Sequence, residues 1–235
     1  MKKVIERALL QPNNSLYFLV SDFLALCTIL SIVAVVLETV PSLAKHATIF
    51  TVIEYTAVAL FTAEYCARVY VTKPRREYIF SFFGIIDLVS ILPSFIGVAN
   101  FTFLKSARAV RLIRLLRLVR LGKIAHAKRK DPEESLGVFA LNVTIYVALL
   151  LIALLAMGTL MYVAEEQVGT ILSIPAGMWW SFQVFVGGIP VDTPITAFGA
   201  GLYVFARFIG FLLLGVLLGV VGNIFRATLL SSKTR

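Results

Sequence analysis

Cysteine and histidine are nearly missing from this chain. Two cysteines, Cys27 and Cys66, and two histidines, His46 and His126, occur in 235 residues. Each cysteine lies inside an apolar stretch, which argues against a disulfide framework and makes both lipid-facing or packing residues. The histidines stand apart from one another in loops, as solvated side chains do and metal ligands do not. Charge is scarce too: 15% of residues are Asp, Glu, Lys or Arg, against 59% hydrophobic. That balance excludes a soluble domain and defines an integral membrane protein. No metal-ligand cluster, phosphate-binding loop or nucleophile arrangement is visible, so the residues point away from an enzyme and toward no cofactor. The absence of an internal duplication argues against a secondary transporter built from repeats.

What is present is a series of long apolar runs. Those able to span a bilayer lie at 16–38, 47–71, 78–99, 136–163 and 196–225, and a charged segment at 101–124 brings the expected spans to six. A shorter apolar piece at 173–186 cannot cross and predicts a re-entrant helix followed by a loop. The basic start Met1-Lys2-Lys3 precedes a long run from Leu16 with no clear cleavage site, which predicts a retained first membrane helix. Asp131-Pro132-Glu133-Glu134 carries a capping residue, a first-turn proline and acids suited to a helix N-terminus, so a new helix is expected near Pro132. The expected fold is an all-α membrane protein with a four-helix domain at 1–125, a linker at 126–138 and a two-helix domain with a re-entrant loop at 139–235.

The net charge of +9 is a matter of topology and not of nucleic acid. Lys2, Lys3 and Arg7, then Lys73, Arg75 and Arg76, then Lys128, Arg129 and Lys130, and finally Arg226, Lys233 and Arg235 fall on one side if six spans alternate. By the positive-inside rule that side, with both termini, is cytoplasmic. The opposite loops carry little positive charge, with Lys45 and His46 after the first span and Glu165 and Glu166 after the fifth. With only a short tail beyond Phe225, a cytoplasmic nucleotide-binding or assembly domain is not expected.

The segment between the third and fifth spans is the most distinctive. A cation recurs at every third position through Lys105, Arg108, Arg111, Arg114, Arg117, Arg120 and Lys123, with mostly apolar residues between. Three-residue steps advance about 300° around an α-helix, so the row winds about the cylinder and leaves no dry face to lay on lipid. In a 3₁₀ helix the same residues would form one straight row. Either way the row suits a helix sliding past fixed partners, with about 4.5 Å of rise per α-helical step and about 27 Å overall. Such a row is the signature expected of a membrane voltage sensor. Its charges need acids or water, because a central Arg or Lys costs about 2.5 to 3.5 kcal/mol on insertion scales. Glu54, Phe61, Glu64 and Arg68 share one face of the second span, and Asp87 lies inside the third.

These residues resemble the voltage-gated ion channel superfamily, especially its potassium channels. Leu30 through Thr39 is similar to the family's first segment and Glu54 through Arg68 to its second. The resemblance implies that Phe61 is the aromatic cap of the site passing gating charges, that Glu64 and Asp87 form the inner acidic site, and that Glu54 is the outer countercharge. Tyr162 through Glu165 and Ile174 through Trp180 resemble the potassium-channel turret and pore helix. Trp179 and Trp180 follow Ile-Pro and precede a glycine-containing loop, which favours the pore helix over an interfacial belt.

The filter departs from the family pattern. Thr-Val-Gly-Tyr-Gly is absent, and the stretch reads Gln183, Val184, Phe185, Val186, Gly187, Gly188, Ile189, Pro190, Val191 and Asp192. Adjacent glycines allow unusual backbone angles, while Pro190 fixes φ and removes an amide donor. Asp192, Pro194, Thr196 and Gly199 resume family-like spacing. No acid lies from Val184 to Val191, so a narrow carboxylate-ring filter for sodium or calcium is not evident. A ring of Asp192 side chains would attract cations, or Asp192 would cap a turn; Gln183 lies where a polar ring would line a pore. In the last span Gly210, Gly215, Gly219 and Gly222 suit close helix packing. The resemblance makes Gly215 or Gly219 the hinge candidate and puts Asn223 near the inner mouth. It further implies a homotetramer of four identical subunits in plasma-membrane lipid, passing a monovalent cation. The alternative is a voltage-sensing regulatory subunit with a non-conducting pore.

Overall fold

The computed structural model describes Arg7, Leu9, residues 15–96, Arg117 and residues 135–231. The chain divides into two compact units, Met1–Lys130 and Asp131–Arg235. The regular structure of the described residues is helical. Among the described residues, four segments are long and apolar enough to cross a membrane: Ser15–Glu38, Pro41–Val71, Val143–Val168 and Ala197–Asn223.

In the first unit, α1 (Ser15–Glu38) is apolar nearly all round, as a helix solvated by hydrocarbon is. Its buried seam runs through Ser21, Leu24, Thr28, Ser31 and Val35, at the three- and four-residue spacing of one helical face. The seam's hydroxyls need no outside partner. Thr28 Oγ1 donates to the Leu24 carbonyl at 2.7 Å and Ser31 Oγ to the Thr28 carbonyl at 2.9 Å. A 3₁₀ turn, Pro41–His46, leads into α2 (Ala47–Val71), which packs along α1. Glu54, Ala57, Val58, Phe61 and Arg68 form the buried face of α2.

The run expected at 78–99 is divided. Tyr78 belongs to a short helix, α3 (Arg75–Ile79), and α4 begins at Phe82 and continues to Ile96. Ser81 makes the break: its Oγ donates to the Tyr78 carbonyl at 2.7 Å and accepts the Gly84 amide at 3.0 Å, capping α4. Gly84 lets the chain fold back this tightly, since a Cβ there would overlap the Tyr78 carbonyl. α1, α2 and α4 meet in a cluster of Ala57, Val58, Phe61 and Ile91, with Cys27 and Tyr65 packed against it. Cys27 is therefore a packing residue, whereas Cys66 is exposed.

The second unit contains α5 (Ser135–Glu165), α6 (Ile174–Phe185) and α7 (Ala197–Ser231). Helices in lipid gain little by hiding apolar surface from one another, so close backbone approach carries the packing. Two glycines provide it where α5 crosses α6. A Cβ on Gly158 would come within 2.5 Å of the Met178 amide nitrogen, and one on Gly177 would overlap the Gly158 carbonyl. Farther along, a Cβ on Gly210 of α7 would meet the Phe185 backbone at 2.8 Å. Ser173 caps α6 by accepting the Ala176 amide at 3.3 Å, and Pro175 occupies its first turn. With twelve residues, α6 is about 18 Å long and cannot cross. It ends at Phe185; just beyond, Gly187 with a φ of +89° reverses the chain, and the Gly188 amide returns to the Gln183 carbonyl at 2.8 Å.

Candidate functional site

The site in the first unit is built around one guanidinium. Arg117 is fully buried. Its Nη1 and Nη2 donate to Oε2 and Oε1 of Glu54 at 2.8 and 2.7 Å, and its Nε donates to the Ser90 carbonyl at 3.1 Å. The fork is bidentate, the geometry in which an arginine–carboxylate pair is strongest. The guanidinium carbon also lies 5.8 Å from the centre of the Phe61 ring, within cation–π range. Glu54 and Phe61 come from α2 and Ser90 from α4, so one side chain is held by two helices. Glu54 and Phe61, seven positions apart, face the same way after two turns.

Glu64 and Asp87 each meet a side chain of their own unit. Glu64 Oε1 accepts Arg68 Nε at 2.8 Å, a pair within α2, and Arg68 Nη1 donates to the Leu9 carbonyl at 2.9 Å. Asp87 is buried, with Oδ2 accepting the Tyr78 hydroxyl at 2.5 Å. Glu54, Phe61 and Arg117 are thus brought together, while Glu64 and Asp87 are engaged by Arg68 and Tyr78. Lys105, Arg108, Arg111, Arg114, Arg120 and Lys123, the start near Pro132 and most of the linker at 126–138 lie outside the described residues.

The second unit presents the loop. Gln183, Val184 and Phe185 form the last turn of α6, with Val184 and Phe185 buried, and Val186 to Asp192 make up the irregular stretch after it. Val186, Ile189 and Val191 are exposed and Pro190 is buried. Trp179 is exposed and stacks on Phe182. Trp180 is buried, and its Nε1 donates to the Asp192 carbonyl at 2.8 Å. Trp180 therefore ties α6 to the far end of the loop, while the Asp192 side chain is left exposed. A Cβ on Gly215 or Gly219 would meet nothing within 4 Å, so among the described residues neither is a packing glycine. Asn223 is exposed.

Sequence reasoning missed two anchors here. Glu165 is fully buried at the end of α5, where the sequence suggested a loop. It accepts the Ile195 amide at 3.1 Å, the Thr196 amide at 2.9 Å and the Thr196 hydroxyl at 2.6 Å. Thr196 Oγ1 in turn accepts the Gly199 amide at 2.9 Å and caps α7. The second anchor is Arg207, whose Nη2 donates to the Gly188 carbonyl at 2.8 Å and meets the Tyr203 hydroxyl at 2.7 Å. A lone arginine inside an apolar run was the signal for it. Among the described residues no group of three or more His, Cys, Asp or Glu is placed to hold a metal.

A membrane protein of several apolar helices, with a buried arginine–glutamate pair in one unit and a short re-entrant-sized helix and loop in the other, fits one class. Residues 17–229 match the family described as ion transport protein, and the chain belongs to that family. It is similar to the potassium voltage-gated channel protein Shal of Drosophila melanogaster, at 27% identity over 205 residues that cover 77% of this chain and 35% of that protein. The chain thus spans about a third of that relative's length. These matches place it in the voltage-gated ion channel superfamily, near the potassium channels.

Proposed function

We propose that the chain is a pore-forming subunit of a voltage-gated channel for monovalent cations, potassium-channel-like but with an altered filter. In this reading residues 1–125 are a four-helix voltage-sensor domain, 126–138 a linker and 139–235 the pore domain. Six helices cross the plasma membrane with both termini cytoplasmic, and four identical subunits surround one pore. The observation that carries the reading is Arg117, the fifth of seven regularly spaced cations, buried against Glu54 and Phe61. A cation held bidentately beside an aromatic ring is a charge caught in one of two positions. On hyperpolarisation Arg117 leaves Glu54 and passes Phe61 toward Glu64 and Asp87.

The energy is adequate. Moving one charge through the whole field is worth about 2.3 kcal/mol per 100 mV, so three charges in each of four subunits would supply about 28 kcal/mol. The test is gating current. Arg111→Gln and Arg114→Gln are expected to reduce the charge moved, and unchanged charge movement sinks the sensor assignment. For conduction, bilayer recordings under potassium, sodium and chloride gradients give reversal potentials that identify the ion. The rival reading, a voltage-sensing regulatory subunit with a non-conducting pore, is favoured by the engagement of the Gly188 carbonyl by Arg207. It predicts gating current with no ionic current under every gradient.

A further inference from the structure

The loop after α6 carries a cation of its own. Arg207 is the only Lys or Arg between Lys130 and Arg226. A basic side chain in an apolar span is costly unless it is given partners, and here those partners belong to the loop. Nη2 donates to the Gly188 carbonyl at 2.8 Å and contacts the Tyr203 hydroxyl at 2.7 Å, while the guanidinium carbon sits 5.2 Å from the Tyr203 ring centre. The Tyr203 ring meets Trp180 edge-on at 5.9 Å, and Trp180 holds the Asp192 carbonyl. Arg207 is therefore fixed by contacts that reach both ends of the irregular stretch. The peptide just before the Gly188 carbonyl is held as well, since the Gly188 amide donates to the Gln183 carbonyl.

Carbonyl oxygens recognise a cation by replacing its hydration shell. A guanidinium nitrogen at hydrogen-bond distance from the Gly188 oxygen offers that oxygen what a passing cation would offer. We propose that Arg207 is a tethered competitor for the permeant cation at the Gly188 carbonyl, and hence the residue that sets the conductance and charge preference of this pore. The proposal rests on reading residues 186–192 as the ion pathway. Its basis is charge: repulsion between like charges is strongest in a low-dielectric passage. Arg207→Lys keeps that charge, whereas Arg207→Gln and Arg207→Met remove it.

The experiment is single-channel recording of the full-length protein in planar bilayers, under a potassium chloride gradient and again with sodium chloride. Arg207→Gln is expected to raise cation conductance about tenfold, the scale on which removal of one nearby charge acts. It should also move the reversal potential toward that of potassium, with Arg207→Lys close to the parent. Guanidinium chloride added to Arg207→Gln should restore the low conductance, which a merely structural peg would not do. Arg207→Met, suited to an apolar span, serves if the Gln variant does not assemble. Parent-like conductance and reversal potential in the charge-free variants overturn the proposal, as does a fall in their cation conductance. If parent and variants all pass no current while gating charge is intact, the pathway reading fails and takes the proposal with it.

Discussion

Arg117 offers hydrogen bonds from Nε, Nη1 and Nη2, two nitrogens going to Glu54 and one to Ser90. Glu54→Gln leaves a buried guanidinium without its counter-charge, a change that costs about 3 to 5 kcal/mol where a buried pair is broken. The expected outcome is lower thermal stability in detergent and a charge–voltage curve shifted to more positive potentials, because the outward-held position loses its partner. The double variant Glu54→Gln with Arg117→Gln should recover part of the stability, and a melting curve for the pair checks it. Glu165 makes a second residue-level prediction. Glu165→Gln replaces acceptor capacity with a donor facing two amides and a hydroxyl, so amide exchange at Ile195 and Thr196 should speed up, at a cost of about 1 to 3 kcal/mol. Glu54 and Phe61 were legible from their heptad spacing. The partners of Glu64 and Asp87 were harder to read: Arg68 was visible four residues on from Glu64, but the Tyr78 hydroxyl reaches Asp87 from a separate short helix.

Among the described residues, the crossing of α5 and α6 turns on two glycines and the C-terminal half of α7 on none. Gly158→Ala forces a methyl group against the Met178 backbone, and overpacking of this kind costs about 1 to 3 kcal/mol. Gly215→Ala enters open space and should be tolerated, with a slight gain of about 0.5 to 1 kcal/mol from helix propensity. Thermal melts of the two variants in one detergent should fall on opposite sides of the parent; equal melts would refute the close-crossing account. Hydropathy located α1, α2, α5 and α7 to within a few residues, since a helix in lipid must satisfy its own backbone and the apolar run sets its length. It could not find the break between α3 and α4. That break depends on the Ser81 hydroxyl and the missing side chain of Gly84, and neither alters an apolar average.

At the scale of the whole molecule, Met1–Lys130 and Asp131–Arg235 each fold around their own contacts. Reconstituted alone, residues 1–130 are expected to move charge with voltage and to pass no ionic current, which capacitive current recordings would check. The second unit has one further property. Glu165 bonds to residues thirty and thirty-one positions later, so everything between is a ring of polypeptide closed at its neck by a single carboxylate. The bonds of the neck go to Ile195 and Thr196, which lie after residues 186–192. Inside that neck the ties from Trp180 and Arg207 grip the carbonyl oxygens of Asp192 and Gly188, so the fitting is held by backbone, and side chains as unlike Thr-Val-Gly-Tyr-Gly as these can hang from such a mount.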